Sequence, residues 1–268
     1  MASGSYFTDA SIVRRVHRER IIALAGPRAL LLMAAHPVAF AGFFAHTESL
    51  ADPYARIRRT WDALSIVIYG SRAAADRVTA RVREAHRSVR GTLDEPAGRF
   101  AAGTPYAADD PELLLWILAS LFDSCLLVHD RYIGSLSESQ REELWRDYRL
   151  IGRLFGLRAR DMPPRLRDLR RYMSAMLSGG DLYVTDRARQ LARAIVLSPP
   201  VPLAARPLLE VTNFVTIGLL PARLRRQYRL RWDPLRTVAL LGGAEYTRRV
   251  LVPLMPDRLR FRPALAVA

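Results

Sequence analysis

Lysine is absent from the 268 residues, so all 41 basic side chains are arginine. Against 26 acidic residues they give a net charge of +15 at pH 7. Arginine without lysine, beside abundant alanine, reflects a GC-rich genome more than selection for a basic surface. The charge favours anionic partners such as lipid head groups, nucleic acid or acidic substrates. Cysteine is nearly absent too. The single Cys125 excludes an intramolecular disulfide and fits a reducing compartment. No run reaches the ~18 apolar residues of a spanning helix; the nearest is Leu113 to Phe122, followed by Asp123. The first twenty residues carry no apolar signal core. The sequence also lacks a G-x-S-x-G elbow, a Walker loop, a G-x-G-x-x-G turn, a C-x-x-C pair and an H-E-x-x-H helix. The expectation is a cytoplasmic protein, with peripheral contact to a membrane as a variant of that reading.

What is present is helical periodicity, with few alternating strand patterns, so the fold class is all-α. Caps at Thr8, Asp9 and Ser11 open a first helix, which Gly26-Pro27 should end. A second, apolar nearly all round, runs from about 28 to 47 and should kink just after His36, because Pro37 removes a backbone donor. Asp52-Pro53 opens a third, to Tyr69-Gly70, and Ser71 caps a fourth. Residues 91 to 109 read as a long loop. Asp110-Pro111 opens an apolar central helix to about Ile133, inside which Asp123 needs a partner, with arginine the fitting one. Ser137 with Gln140 forms a capping box for the next helix. Further helices are expected near 164–178, 186–197, 207–220 and 234–254, and the whole chain reads as a single domain.

The fourth helix is the centre of the chemical argument. Val78, Val82, Ala85 and Val89 make an apolar stripe, and His86 stands on that face, with Gly91 as the residue that stops the helix. A histidine on a buried stripe is ordinarily a satisfied core residue, and spacing alone leaves that reading beside a ligand role. His36 and His46 also fall in an apolar helix, His129 ends one, and His17, among Arg14, Arg15, Arg18 and Arg20, reads as solvated. Buried histidines, with Arg56, Arg59 and Thr60 on an intervening helix, suit a haem or iron site: one imidazole for the metal, cations for the propionates. A separate basic stretch, Arg223 to Arg231 with Tyr228 and Trp232, has the composition of an anionic-surface module, although a solvated helix explains it and nucleic acid is the weaker partner.

Several motifs then fall in a fixed order: Gly26-Pro-Arg-Ala-Leu-Leu-Leu, Ala35-His36-Pro37, His46, Asp52-Pro53, Arg56-Ile-Arg-Arg59-Thr60, Tyr69-Gly70, His86-x-x-Val89-Arg90-Gly91-Thr92, Asp110-Pro111 through Trp116, Gly218-Leu-Leu-Pro221 and Leu230-x-Trp232. In this series the chain resembles the MpaB-type oxygenase family, related to the catalytic domain of bacterial rubber oxygenase, the latex-clearing protein. The resemblance implies a single multi-helix domain over 1–268 with a globin-like core around haem b. It implies His86 as the proximal iron ligand and Arg56, Arg59 and Thr60 at the distal side or the propionates. His36 and His46 would stand near the pocket, His36 with a catalytic role.

One position departs from the family pattern. Where the family carries Leu-Trp-Val-His-Ala-Thr-Leu, this chain reads Leu115-Trp-Ile-Leu118-Ala-Ser-Leu121. His129 lies eleven residues further on, roughly 16 Å along a helix, and does not replace the lost imidazole in place. The implied function is a haem-dependent oxygenase acting on a hydrophobic small molecule held between the 28–47 and 110–130 helices. The alternative is a haem-binding protein without turnover, for sensing or storage.

Overall fold

The computed structural model describes residues 4–45 and 53–262, with side chains described outside 44–58. About 70 % of the described residues are helical. Helix α1 (Ile12–His17) leads through a 3-10 turn (Arg20–Leu24) into α2 (Ala25–Ala34). Gly26-Pro27 therefore opens a helix instead of ending one. Pro27 sits in the first turn of α2, where backbone N–H groups have no intrahelical acceptor, so its missing donor costs nothing.

The kink expected after His36 is a complete break. α2 and α3 (Pro37–Ala45) meet at 107°. His36 occupies the N-cap position of α3, its Nδ1 accepting the N–H of Ala39 at 3.2 Å, and Pro37 takes the first helical position. α4 (Pro53–Tyr69) and α5 (Arg72–Arg87) pack as an antiparallel pair, with the Ser71 hydroxyl capping α5 at the N–H of Ala74.

The fourth helix stops four residues earlier than its glycine suggests. Arg90–Thr92 forms β1, antiparallel to β2 (Pro105–Ala107), so the long loop is a short hairpin. Gly91 pairs with Tyr106 across this ladder, and a Cβ there would lie 2.6 Å from the Tyr106 hydroxyl. Its function is to let that ring lie over the backbone, not to end a helix.

α6 (Pro111–Tyr132) is the core, opened by Asp110, whose carboxylate accepts the N–H groups of Glu112 and Leu113. It packs on α2, α3 and α7 (Glu138–Leu154). Trp116 is fully buried on it, and Phe122 meets Trp145 and Tyr148 of α7 edge-on. α6 is also the one unbroken helix among the described residues long and apolar enough to cross a membrane, yet half of that window is buried in the fold, as a core helix would be. The bent α2–α3 pair passes the same test only if taken as one segment. Asp123 has the arginine it requires: Arg28 of α2 reaches it at 2.8 Å, and the same guanidinium donates to the Ser124 hydroxyl and to the Leu219 carbonyl.

The helices expected near 164–178, 186–197, 207–220 and 234–254 are present, the last broken by a π-turn, and short helices follow α10 and end the described chain. They are α8 (Leu166–Ser178), α9 (Asp186–Leu191, running on as a π-turn to Leu197), α10 (Arg206–Leu219), α11 (Ala222–Gln227), α12 (Pro234–Tyr246), α13 (Val252–Leu254) and α14 (Asp257–Arg260). Two ties close the ends onto the core. Tyr228 donates its hydroxyl to the Leu31 carbonyl, and Arg260 grips the buried Glu19 through both carboxylate oxygens.

Candidate functional site

His86 stands on the inward stripe of α5. Ala75 and Thr79 are buried on that stripe, and Val78, Val82 and His86 are half-buried. The imidazole is therefore held against the fold near the C-terminal end of its helix. Ala85 is exposed and does not share the stripe. Val89, three residues beyond His86, packs so tightly on α3 that a Cβ at Gly42 would come within 2.6 Å of it. α3 thus presses on the turn that follows the candidate ligand.

On α4, the partner helix of α5, Arg59 and Thr60 are exposed. Arg56 lies on the same helix, but its side chain is outside the described residues, and so is all of His46. His36 sits elsewhere, at the α2–α3 break. Its ring is buried between Phe100 and Trp116, at centroid distances of 5.4 and 6.5 Å. Burial lowers its pKa to about 4, so it is neutral at pH 7. The described residues therefore bring His86, Arg59 and Thr60 onto one helix pair and put His36 on a separate junction that reaches the pair through α3.

A small cavity of about 30 Å³ is lined by α4 together with α2, α6 and α7. Its wall includes Trp61, Leu118, Leu121, Cys125, Tyr148 and His17. His17 is not the solvated residue its arginine neighbours suggested. Its Nε2 lies 2.8 Å from the Tyr148 hydroxyl and 3.6 Å from Cys125 Sγ, and burial lowers its pKa to about 3. The signal was available in the sequence: His17 follows Val13 by four residues, hence shares its buried face. Leu118, where the family carries histidine, is buried on this wall and packs on Gly152, at which a Cβ would come within 2.7 Å of its Cδ2. His129 is buried further along α6, away from this cavity, with no hydrogen bond to its Nδ1 among the described residues. A larger open groove of about 510 Å³ runs between α6, α7 and α8, floored by Leu126, Leu169, Met173 and Leu177. It borders α6 on the α8 side, not between α2 or α3 and α6, where the substrate slot was expected.

The donor set can be tested against the chemistry it would have to hold. Among the described residues, no three His, Cys, Asp or Glu side chains converge on one point. A bare iron or zinc centre takes three or four ligands from protein side chains, so these residues do not form one. A porphyrin brings four nitrogens of its own and asks the protein for one axial ligand. A single half-buried imidazole on α5 meets the number of protein ligands that a porphyrin asks for, and Arg59 lies on the neighbouring helix.

The fold defines an all-helical protein. The chain belongs to the family described as ER-bound oxygenase mpaB/B′/rubber oxygenase, catalytic domain, whose model matches residues 14–252. Two mycobacterial proteins, one from Mycobacterium bovis and one from Mycobacterium tuberculosis, both described as uncharacterized, are each 26 % identical to it over 183 residues, 68 % of this chain and 68 % of the relative. No solved structure gives a significant match.

Proposed function

We propose that this protein is a haem b-dependent oxygenase of hydrophobic small molecules, with His86 as the proximal iron ligand and residues 1–268 acting as one haem-binding domain with a globin-like core. The observation that carries the proposal is the inward imidazole of His86 on a helix packed against the one bearing Arg59 and Thr60, in a chain of an oxygenase family. Haem, when bound, supplies a redox-active iron for the activation of dioxygen.

The chain's own residues supply the rest. His86 holds the group through one ring nitrogen. Arg56 and Arg59 would neutralise the carboxylates of a bound haem, and the Thr60 hydroxyl would offer a hydrogen bond to a bound ligand. His36, neutral at pH 7, is a hydrogen-bonding group for substrate. The apolar helices α2, α3 and α6 exclude water.

A second reading, haem binding without turnover, is favoured by one observation: Leu118 is an aliphatic side chain packed on Gly152, where the family has an imidazole.

The test is the absorption spectrum of protein expressed with ample iron and haem precursor. A Soret band is expected, lost in His86→Ala and retained in His17→Gln. A colourless protein, or a band indifferent to His86, would overturn the proposal. Oxygen uptake by the reduced protein with lipophilic substrates separates the two readings.

A further inference from the structure

Large apolar side chains that face water cluster, among the described residues, in one part of this chain. Among the described residues, all of them except Tyr183 fall between Leu203 and Leu259. α12 shows the pattern most clearly. Its buried side chains, Leu240 and Ala244, are one turn apart, and Leu240 packs on Gly218 of α10. The opposite side carries Leu235, Val238, Gly242 and Tyr246, spaced i, i+3, i+7 and i+11, which is one continuous helical stripe. Leu235 is 78 % exposed and Val238 67 %. A π-turn (Thr247–Leu251) carries the helix on into α13, where Leu254 is again 78 % exposed. The segment is thus apolar on two opposed faces, and the fold covers only one. An ordinary surface helix turns its polar side outward.

The charge of this part of the chain is mostly positive. Residues 203–262 contain twelve arginines and four acidic residues. Asp233 and Glu245 are taken up by Arg236, Arg248 and Arg249. Arg229, Arg231 and Arg258 are exposed and form no ion pair among the described residues.

We propose that this face docks on an anionic lipid bilayer. α12 and α13 lie in the plane of the interface, with Leu235, Val238, Tyr246 and Leu254 among the acyl chains and the free arginines at the phosphates. A second copy of the chain is the poorer occupant. A two-fold interface sets each patch against its own image, so the unpaired arginines would meet arginines. An anionic bilayer meets both the apolar stripe and the exposed arginines that flank it in sequence. This inference does not depend on the iron reading.

The experiment uses the full chain with sedimenting vesicles of phosphatidylcholine alone, or of phosphatidylcholine mixed with phosphatidylglycerol. Binding to the mixed vesicles is expected to exceed binding to the neutral ones at least about fivefold, and to weaken with salt, since each arginine at the surface is worth about that factor. The triple variant Leu235→Ser, Val238→Ser, Leu254→Ser should lose binding by a similar factor with an unchanged thermal transition, because these side chains support no core. Equal binding to both vesicles, no binding to either, or a stable dimer in light scattering that the triple variant dissociates would each overturn the proposal.

Discussion

The Nε2 nitrogen of His17 and the hydroxyl of Tyr148 meet at 2.8 Å on the wall of an otherwise apolar cavity, joining the first helix to the seventh. The contact requires a neutral imidazole or an imidazolium that burial strongly disfavours.

Acid should therefore weaken the fold. Burial lowers the pKa of His17 to about 3, with repulsion from Arg262 adding to it, and lowers that of His36 to about 4; His129 is shifted the same way, also by burial. Unfolded histidine titrates near 6.5. Above that pH both states carry neutral rings and the stabilisation is fully present. Below it the unfolded chain takes up protons that the folded one refuses, so stability falls as pH drops from about 6.5 towards about 4, by up to about 1.4 kcal/mol per pH unit for each histidine concerned. Urea midpoints across that range measure it, and His17→Gln should flatten the slope. A midpoint unchanged down to about pH 5 would refute this account.

Arg28→Ala should be among the most damaging single changes. It strips partners from Asp123, from the Ser124 hydroxyl and from the last turn of α10, at a cost of about 3 kcal/mol. Asp123→Asn should cost about 1 kcal/mol, because Asp123 is one-third exposed and Arg28 keeps its other acceptors. Equal losses in denaturant unfolding would show that the charge pair, not the guanidinium's hydrogen bonds, dominates.

Gly91→Ala should destabilise the hairpin by about 1–3 kcal/mol, since the new methyl group collides with a buried phenol ring held across the ladder. Adding Tyr106→Ala should make the substitution at position 91 close to neutral. A double-mutant cycle showing strict additivity would be evidence against the contact.

Cys125 should be unreactive in the folded protein. Burial pushes its thiol up to about 12, so almost no thiolate forms at pH 8. A chromogenic thiol reagent should titrate it only after unfolding; rapid reaction under native conditions would contradict the buried assignment.

Local signals carried much of this fold. Ser71, Asp110 and the Ser137–Gln140 box cap helices as their spacing implies, and Asp123 found its arginine. What failed depended on distant partners. Gly91 has the neighbours of a helix-ending glycine, and only the returning strand with Tyr106 gives it another use. Gly26-Pro27 looks like a terminator unless one knows that a 3-10 turn precedes it. His17 was hidden by charged neighbours in sequence, although its four-residue spacing from Val13 pointed inward. For the candidate site, periodicity put His86 on the inward stripe correctly. It could not show that Leu118 would face a cavity shared with His17, because that depends on how α1 and α6 cross.

The capping contact at the α2–α3 break fixes more than a helix end. Because a backbone N–H is always a donor, His36 Nδ1 must accept, so the single proton of this neutral ring resides on Nε2. That nitrogen can offer hydrogen to an acceptor but has no lone pair for a metal. The tautomer therefore fixes the chemistry of this ring: it is left to donate a hydrogen bond, and it cannot take a metal through Nε2.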